Sequence, residues 1–114
     1  MQERRQFSRL PVSTDVRCHL TSTAGSEALM ACSRDLSAGG IGVVLQRRHD
    51  IGTLLDITFR LPGSGKIMAS QGRIAWVDEF TVGPDKAFDT GIQFTDLDEQ
   101  TVSLLDSELT EARA

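Results

Sequence analysis

The sequence has no tyrosine, one tryptophan and five phenylalanines. Small barrels that bind single-stranded nucleic acid stack bases on aromatic platforms, so this class is disfavoured at once. An excess of basic charge is missing too. Twelve Lys and Arg face sixteen Asp and Glu, for a formal charge of −4. A domain that grips polyanions carries a basic face and a high pI, so no nucleic-acid polymer is expected as a partner. Cysteine is scarce: Cys18 and Cys32 lack metal-ligand spacing and are too few for a disulfide framework. Both are expected as small buried hydrophobes on neighbouring strands. His19 and His49 lie far apart without a metal companion, so neither a metal nor a cofactor is expected. No apolar run approaches the length of a membrane span. The start is polar and charged at once, unlike a secretory signal, and the expected location is the cytoplasm. GxSxG is absent, no histidine is placed to take a proton from Ser37, and nothing marks two carboxylates as a pair. No catalytic residue is assigned and no enzyme is expected.

What is present fits one domain. The 114 residues suffice for one core but not for a second, catalytic unit. Residues 1–11 lack periodicity, and Pro11 discourages a helix through them; they read as an arm. Val16, Cys18 and Leu20 alternate with polar residues in a half-buried strand pattern. Further strands are expected from about Glu27 to Arg34, through Ile41, Val43 and Leu45, through Leu55, Ile57, Phe59 and Leu61, from Ile67 to about Val77, and around Ile92 and Phe94. In the tail, Val102, Leu105 and Leu109 fall at helical spacing, with Leu104 widening the stripe. Asp96 and Glu99 resemble a capping box there. The order predicts an all-β fold with a C-terminal helix: a six-stranded antiparallel β-barrel over residues 12–95, closed so that no edge is exposed. The helix and tail occupy 96–114, with the leucines over an open mouth.

Positive charge is local. Arg4, Arg5 and Arg9 lie within six residues of the arm, a placement that suits a small anion better than a long one. Arginine is planar, permanently charged and forked; it pairs with phosphate or with the O6/N7 edge of guanine. Charged clusters at termini are also commonly just solvated. The second motif is Asp35-Leu36-Ser37-Ala38-Gly39-Gly40. Asp35 can accept from the N1–H and N2–H donors of guanine, and Ser37 can donate to phosphate or a base. Gly39, Gly40 and Gly42 permit close backbone approach or positive φ. Alone, this motif equally describes a plain turn between strands. Trp76 is a candidate wall for a guanine or a core or rim residue. Arg47 and Arg48 extend the positive face or lie in a solvated loop.

Together, in this order on an all-β chain, the RRxxxR and DxSxxG motifs resemble the PilZ domain family. The resemblance implies a receptor for the bacterial second messenger cyclic di-GMP. Arg5 and Arg9 match the RxxxR arginines, and Asp35, Ser37 and Gly40 match the second motif. Arg4 matches an extra leading arginine that accompanies binding of a stacked ligand pair, which implies two ligands per protomer. The implied ligand-binding set is Arg4, Arg5, Arg9, Asp35, Ser37, Gly39 and Gly40, with Gly42 and Trp76 as further candidates for the ligand face. A receptor domain without an attached output enzyme is expected to signal to a downstream protein, through ordering of the arm. The alternative is a PilZ-like protein-interaction module with weak or no cyclic di-GMP binding.

Overall fold

The computed structural model describes residues 10–11, 13–20 and 29–113. Seven strands and one helix follow in chain order among them: β1 (Leu10–Pro11), β2 (Asp15–Leu20), β3 (Leu29–Ser37), β4 (Gly40–Leu45), β5 (Leu54–Arg60), β6 (Ile67–Val82), β7 (Asp85–Phe94) and α1 (Glu99–Arg113). Six of the strands form the ring β3-β2-β5-β6-β7-β4, closed by pairing of β4 back onto β3; all pairings are antiparallel. The expected barrel is therefore the observed one.

The alternation that predicted strands also sorts side chains between interior and surface. In β5, Leu55, Ile57 and Phe59 are buried while Leu54, Asp56, Thr58 and Arg60 are exposed. In β4, Ile41, Val43 and Leu45 turn inward. Phe59 stacks on Phe94, with centroids 5.7 Å apart and rings 7° from parallel. Leu105 and Leu109 of α1 join this core. Leu104 does not: it is 65% exposed, because it sits one position off the Leu105–Leu109 line and points away from the barrel.

Several boundaries differ from the sequence reading. Leu10 and Pro11 belong to the sheet, paired with Leu36 and Asp35 of β3. The β2 ladder beside them is held by Ser33 N–H donating to Thr14 O (2.9 Å) and Thr14 N–H donating to Ser33 Oγ (3.0 Å). β3 runs on to Ser37, so only Ala38 and Gly39 form the turn to β4. β6 and β7 are longer than expected and meet at Gly83-Pro84, where Gly83 takes φ +61°, a conformation that suits glycine. The helix cap is Asp98, whose Oδ1 accepts from Thr101 N–H at 2.7 Å. Asp96 instead accepts from Gln71 N–H and Ser70 Oγ, each at 2.9 Å, tying the chain after β7 to β6. Cys18 is buried as expected, and desolvation pushes its thiol up to about 11. Cys32 is exposed, because it points outward on β3 opposite Asp15.

Candidate ligand-binding face

The DxSxxG segment sits where β1, β3 and β4 meet. Pairing places Pro11 opposite Asp35, Asp35 opposite Gly42, Gly42 opposite Gly91, and Gly91 opposite Trp76. Directly paired residues share a face. The row therefore crosses β1, β3, β4, β7 and β6 on the outside of the barrel, since the neighbouring Leu36, Ile41 and Ile92 are buried. Its two central positions have no side chain. A Cβ on Gly42 would stand 2.8 Å from Asp35 Oδ1, and one on Gly91 would collide with the Trp76 indole. The result is a flat floor on which the Asp35 carboxylate lies over Gly42 and the half-buried Trp76 indole over Gly91.

A second outward row runs beside it: Ser37, Gly40, Gln93 and Arg73. Gln93 and Arg73 are exposed and offer an amide and a guanidinium along the floor. Ser37 is buried, and its Oγ accepts from Gly39 N–H at 3.1 Å. The Gly39 carbonyl in turn accepts from Phe94 N–H at 3.0 Å, so the turn is fastened to the end of β7. A Cβ on Gly40 would collide with the Ile92 carbonyl oxygen; that glycine lets β4 and β7 approach. Neither Gly39, Gly40 nor Gly42 has positive φ, so space, not backbone conformation, is what Gly40 and Gly42 supply.

On the other side of the floor lies an ion network. The β3–β4 register shifts between Ser33 and Asp35. Neighbours in a regular strand face opposite ways; a bulge re-aims one of them, and here both Arg34 and Asp35 reach the outer face. Arg34 Nη1 is 2.8 Å from Asp89 Oδ2, and its Nη2 is 3.9 Å from Asp35 Oδ2. Asp89 Oδ1 is buried with no hydrogen-bond partner among the described residues. A cleft of about 410 Å³ elsewhere on the barrel, lined by Arg17, Met30, Arg60 and Ile67 among others, holds none of the motif residues that are among the described residues.

Of the residues expected at the site, Asp35, Gly42 and Trp76 share the floor row, with Ser37 and Gly40 in the row beside it and Gly39 in the adjoining turn. Arg4, Arg5 and Arg9 lie outside the described residues. Gly91, Gln93, Arg73, Arg34 and Asp89 were not singled out as site residues from sequence. Strand register brings Gly91, Gln93, Arg73 and Asp89 here, the β3 bulge turns Arg34 to the same face, and a register shift at each of β3 and β6 hides this from simple alternation.

The PilZ domain family model matches residues 3–111. The chain belongs to the PilZ domain family. No curated protein matches the sequence. Among solved structures, the chain is similar to the Bacillus subtilis inhibitor of motility MotI/DgrA, with a TM-score of 0.76 and 19% identity over 98% of this chain and 52% of that one. It is similar to the PilZ domain of Escherichia coli YcgR with c-di-GMP, with a TM-score of 0.74 and 17% identity over 97% of this chain and 92% of that one. The K. pneumonia MrkH–c-di-GMP complex matches with a TM-score of 0.73 and 16% identity over 96% of this chain and 52% of that one. This PilZ chain thus spans about half the length of MotI and MrkH. Among the described residues, no helix is long and apolar enough to cross a membrane.

Proposed function

We propose that this PilZ domain is a receptor for cyclic di-GMP, bound across the Asp35–Gly42–Gly91–Trp76 row. That row is the observation that carries the proposal: two glycines let the Asp35 carboxylate and the Trp76 indole lie against the barrel wall, so that a flat purine meets an indole face and a carboxylate on one surface. Family membership and the c-di-GMP complexes of YcgR and MrkH support the same ligand. Asp35 accepts from N1–H and N2–H of one guanine. Adenine reverses the donor and acceptor pattern at that edge, which leaves the carboxylate facing an acceptor and disfavours adenine analogues. Trp76 supplies a face on which a base stacks. Arg5 and Arg9 meet phosphate and guanine edges from the arm, whose chain enters the sheet at Leu10 and Pro11 beside Asp35. Arg4 adds charge for a stacked ligand pair, which brings four phosphates to the site. Ser37, Gly39 and Gly40 hold the turn in the shape the ligand meets.

The signal passes on when ligand joins the arm to β3 and changes the charge and shape of this face, which a downstream protein reads. Isothermal titration calorimetry with cyclic di-GMP, against cyclic di-AMP, tests the receptor role. Saturable heat with the guanine ligand alone is expected; no binding of either, confirmed by a second assay, removes the proposal.

A further inference from the structure

Arg73 and Trp76 lie three residues apart on β6, a spacing that puts side chains of a regular strand on opposite faces. The β6–β7 register shifts between Ile74 and Trp76, and this bulge brings both onto the outer face. There Arg73 is paired directly with Gln93, and Trp76 with Gly91. The two side chains are thus one outward step apart along β7, roughly 7 Å. The indole leans across the ladder: its Nε1 and Cε2 fill the space of a Cβ on Gly91, which lays the ring on β7 rather than upright over β6. Arg73 is exposed, and its partner on the other side, Leu54 of β5, is apolar. Arg34 and Lys86 each face a carboxylate. The Arg73 guanidinium makes no ion pair or hydrogen bond among the described residues, and it is the single cation in the two rows that form the floor.

The geometry points to Arg73 as a specificity-determining residue: it reads the guanine that stacks on Trp76, through a forked contact to O6 and N7. This inference rests on the receptor reading above and names the group that recognises the base at the tryptophan end of the site. An aromatic face accepts every base alike, so stacking by itself leaves that base unread. A guanidinium beside the ring changes this. Its parallel N–H donors match guanine O6 and N7, whereas adenine offers N7 and an N6 amino donor. Lysine would bring the same charge without the fork, and a phosphate would be met by either as a point charge. Because Arg73 is exposed, it can be replaced at little cost to the fold.

Titration calorimetry of the 114-residue chain tests this in three forms: wild type, Arg73→Ala and Arg73→Lys, each checked by thermal melting. Two probes are used, cyclic di-GMP and its analogue in which both guanines are 7-deazaguanine, with a C–H in place of N7. Arg73→Ala is expected to bind cyclic di-GMP at least about tenfold more weakly than wild type, as for loss of a charged hydrogen-bond partner. Arg73→Lys is expected to bind it at least about fivefold more weakly, because the fork is lost. Wild type is expected to bind the analogue at least about fivefold more weakly than cyclic di-GMP. That penalty should shrink by at least about threefold in Arg73→Ala, where the group that reads N7 is already gone. A residue that merely shapes the sheet would lower affinity for both probes and leave the penalty as it was. Affinity near wild type in folded Arg73→Ala overturns the inference, as does an undiminished penalty. Wild-type affinity in Arg73→Lys also overturns it and gives the contact to phosphate. Absence of cyclic di-GMP binding by wild type instead removes the receptor reading, and the inference with it.

Discussion

Gly91 has no side chain, and the Trp76 indole occupies the space one would take. Gly91→Ala should therefore push the ring off the floor while leaving the buried core untouched. Base stacking on an aromatic side chain contributes ~1–3 kcal/mol, so ligand affinity should fall about fivefold or more. A shifted tryptophan emission spectrum in the ligand-free variant checks the cause. The arm arginines give a second test at this scale. Losing one charged hydrogen-bond partner costs about 1.5–3 kcal/mol. Arg5→Ala or Arg9→Ala should each weaken cyclic di-GMP binding by at least about tenfold, with the double change near background by calorimetry. Unchanged affinity in both singles would end the assignment of those roles. Asp35, Gly42 and Trp76 could be named from sequence because a carboxylate, a small residue and a lone indole carry recognisable chemistry. Gly91 could not: the space it leaves depends on the residue across the ladder, and no local pattern states that.

Elements were easier to locate than their ends. Strict alternation in β5 fixed both its identity and its inward face, and the leucine spacing did the same for α1. Leu105→Ala should cost about 2–5 kcal/mol, as for a buried leucine with little room to collapse, whereas Leu104→Ala should cost little; urea unfolding compares them. The cap was misplaced by two residues because Asp96 and Asp98 are both plausible acceptors. Only the backbone path gives Thr101 to one and Gln71 to the other. Hydrogen bonds from the Thr101 side chain and backbone hold the Asp98 carboxyl below its usual value of 3.8. A lowered folded-state value stabilises the protein above the unfolded value and loses that contribution as pH falls through the folded one. The melting-temperature difference between wild type and Asp98→Asn should thus be largest above the usual carboxylate value of 3.8 and shrink as pH falls below it. A difference constant with pH would remove the carboxylate from the cap.

At the scale of the whole molecule, β3 is the hub. It pairs with β1, β2 and β4, and thus joins the chain leading from the arm to two neighbouring strands of the ring. The six-stranded barrel was legible because each of its strands had an apolar face and no helical spacing appears in the sequence before the tail. The pairing of Leu10 and Pro11 was not, because two residues carry no period. Ligand that engages Arg5, Arg9 and Asp35 together should slow amide exchange across residues 3–10 and in β3, read by mass spectrometry. Equal exchange with and without bound ligand would rule out relay through the arm. If Arg4 recruits a ligand pair, saturation should come at two ligands per protomer, and Arg4→Ala should reduce this to one.

The thiols offer a clock. Cys32 faces outward on β3, while Cys18 lies sealed in the barrel with its thiol pushed up to about 11. A thiolate-selective reagent should therefore label the chain in two phases. The first is prompt and belongs to Cys32. The second proceeds only as fast as the ring parts at β2, so its rate reports openings too rare to be seen as a population. Timed with and without cyclic di-GMP, that slow phase would show whether the messenger tightens the barrel as a whole or leaves its breathing unchanged.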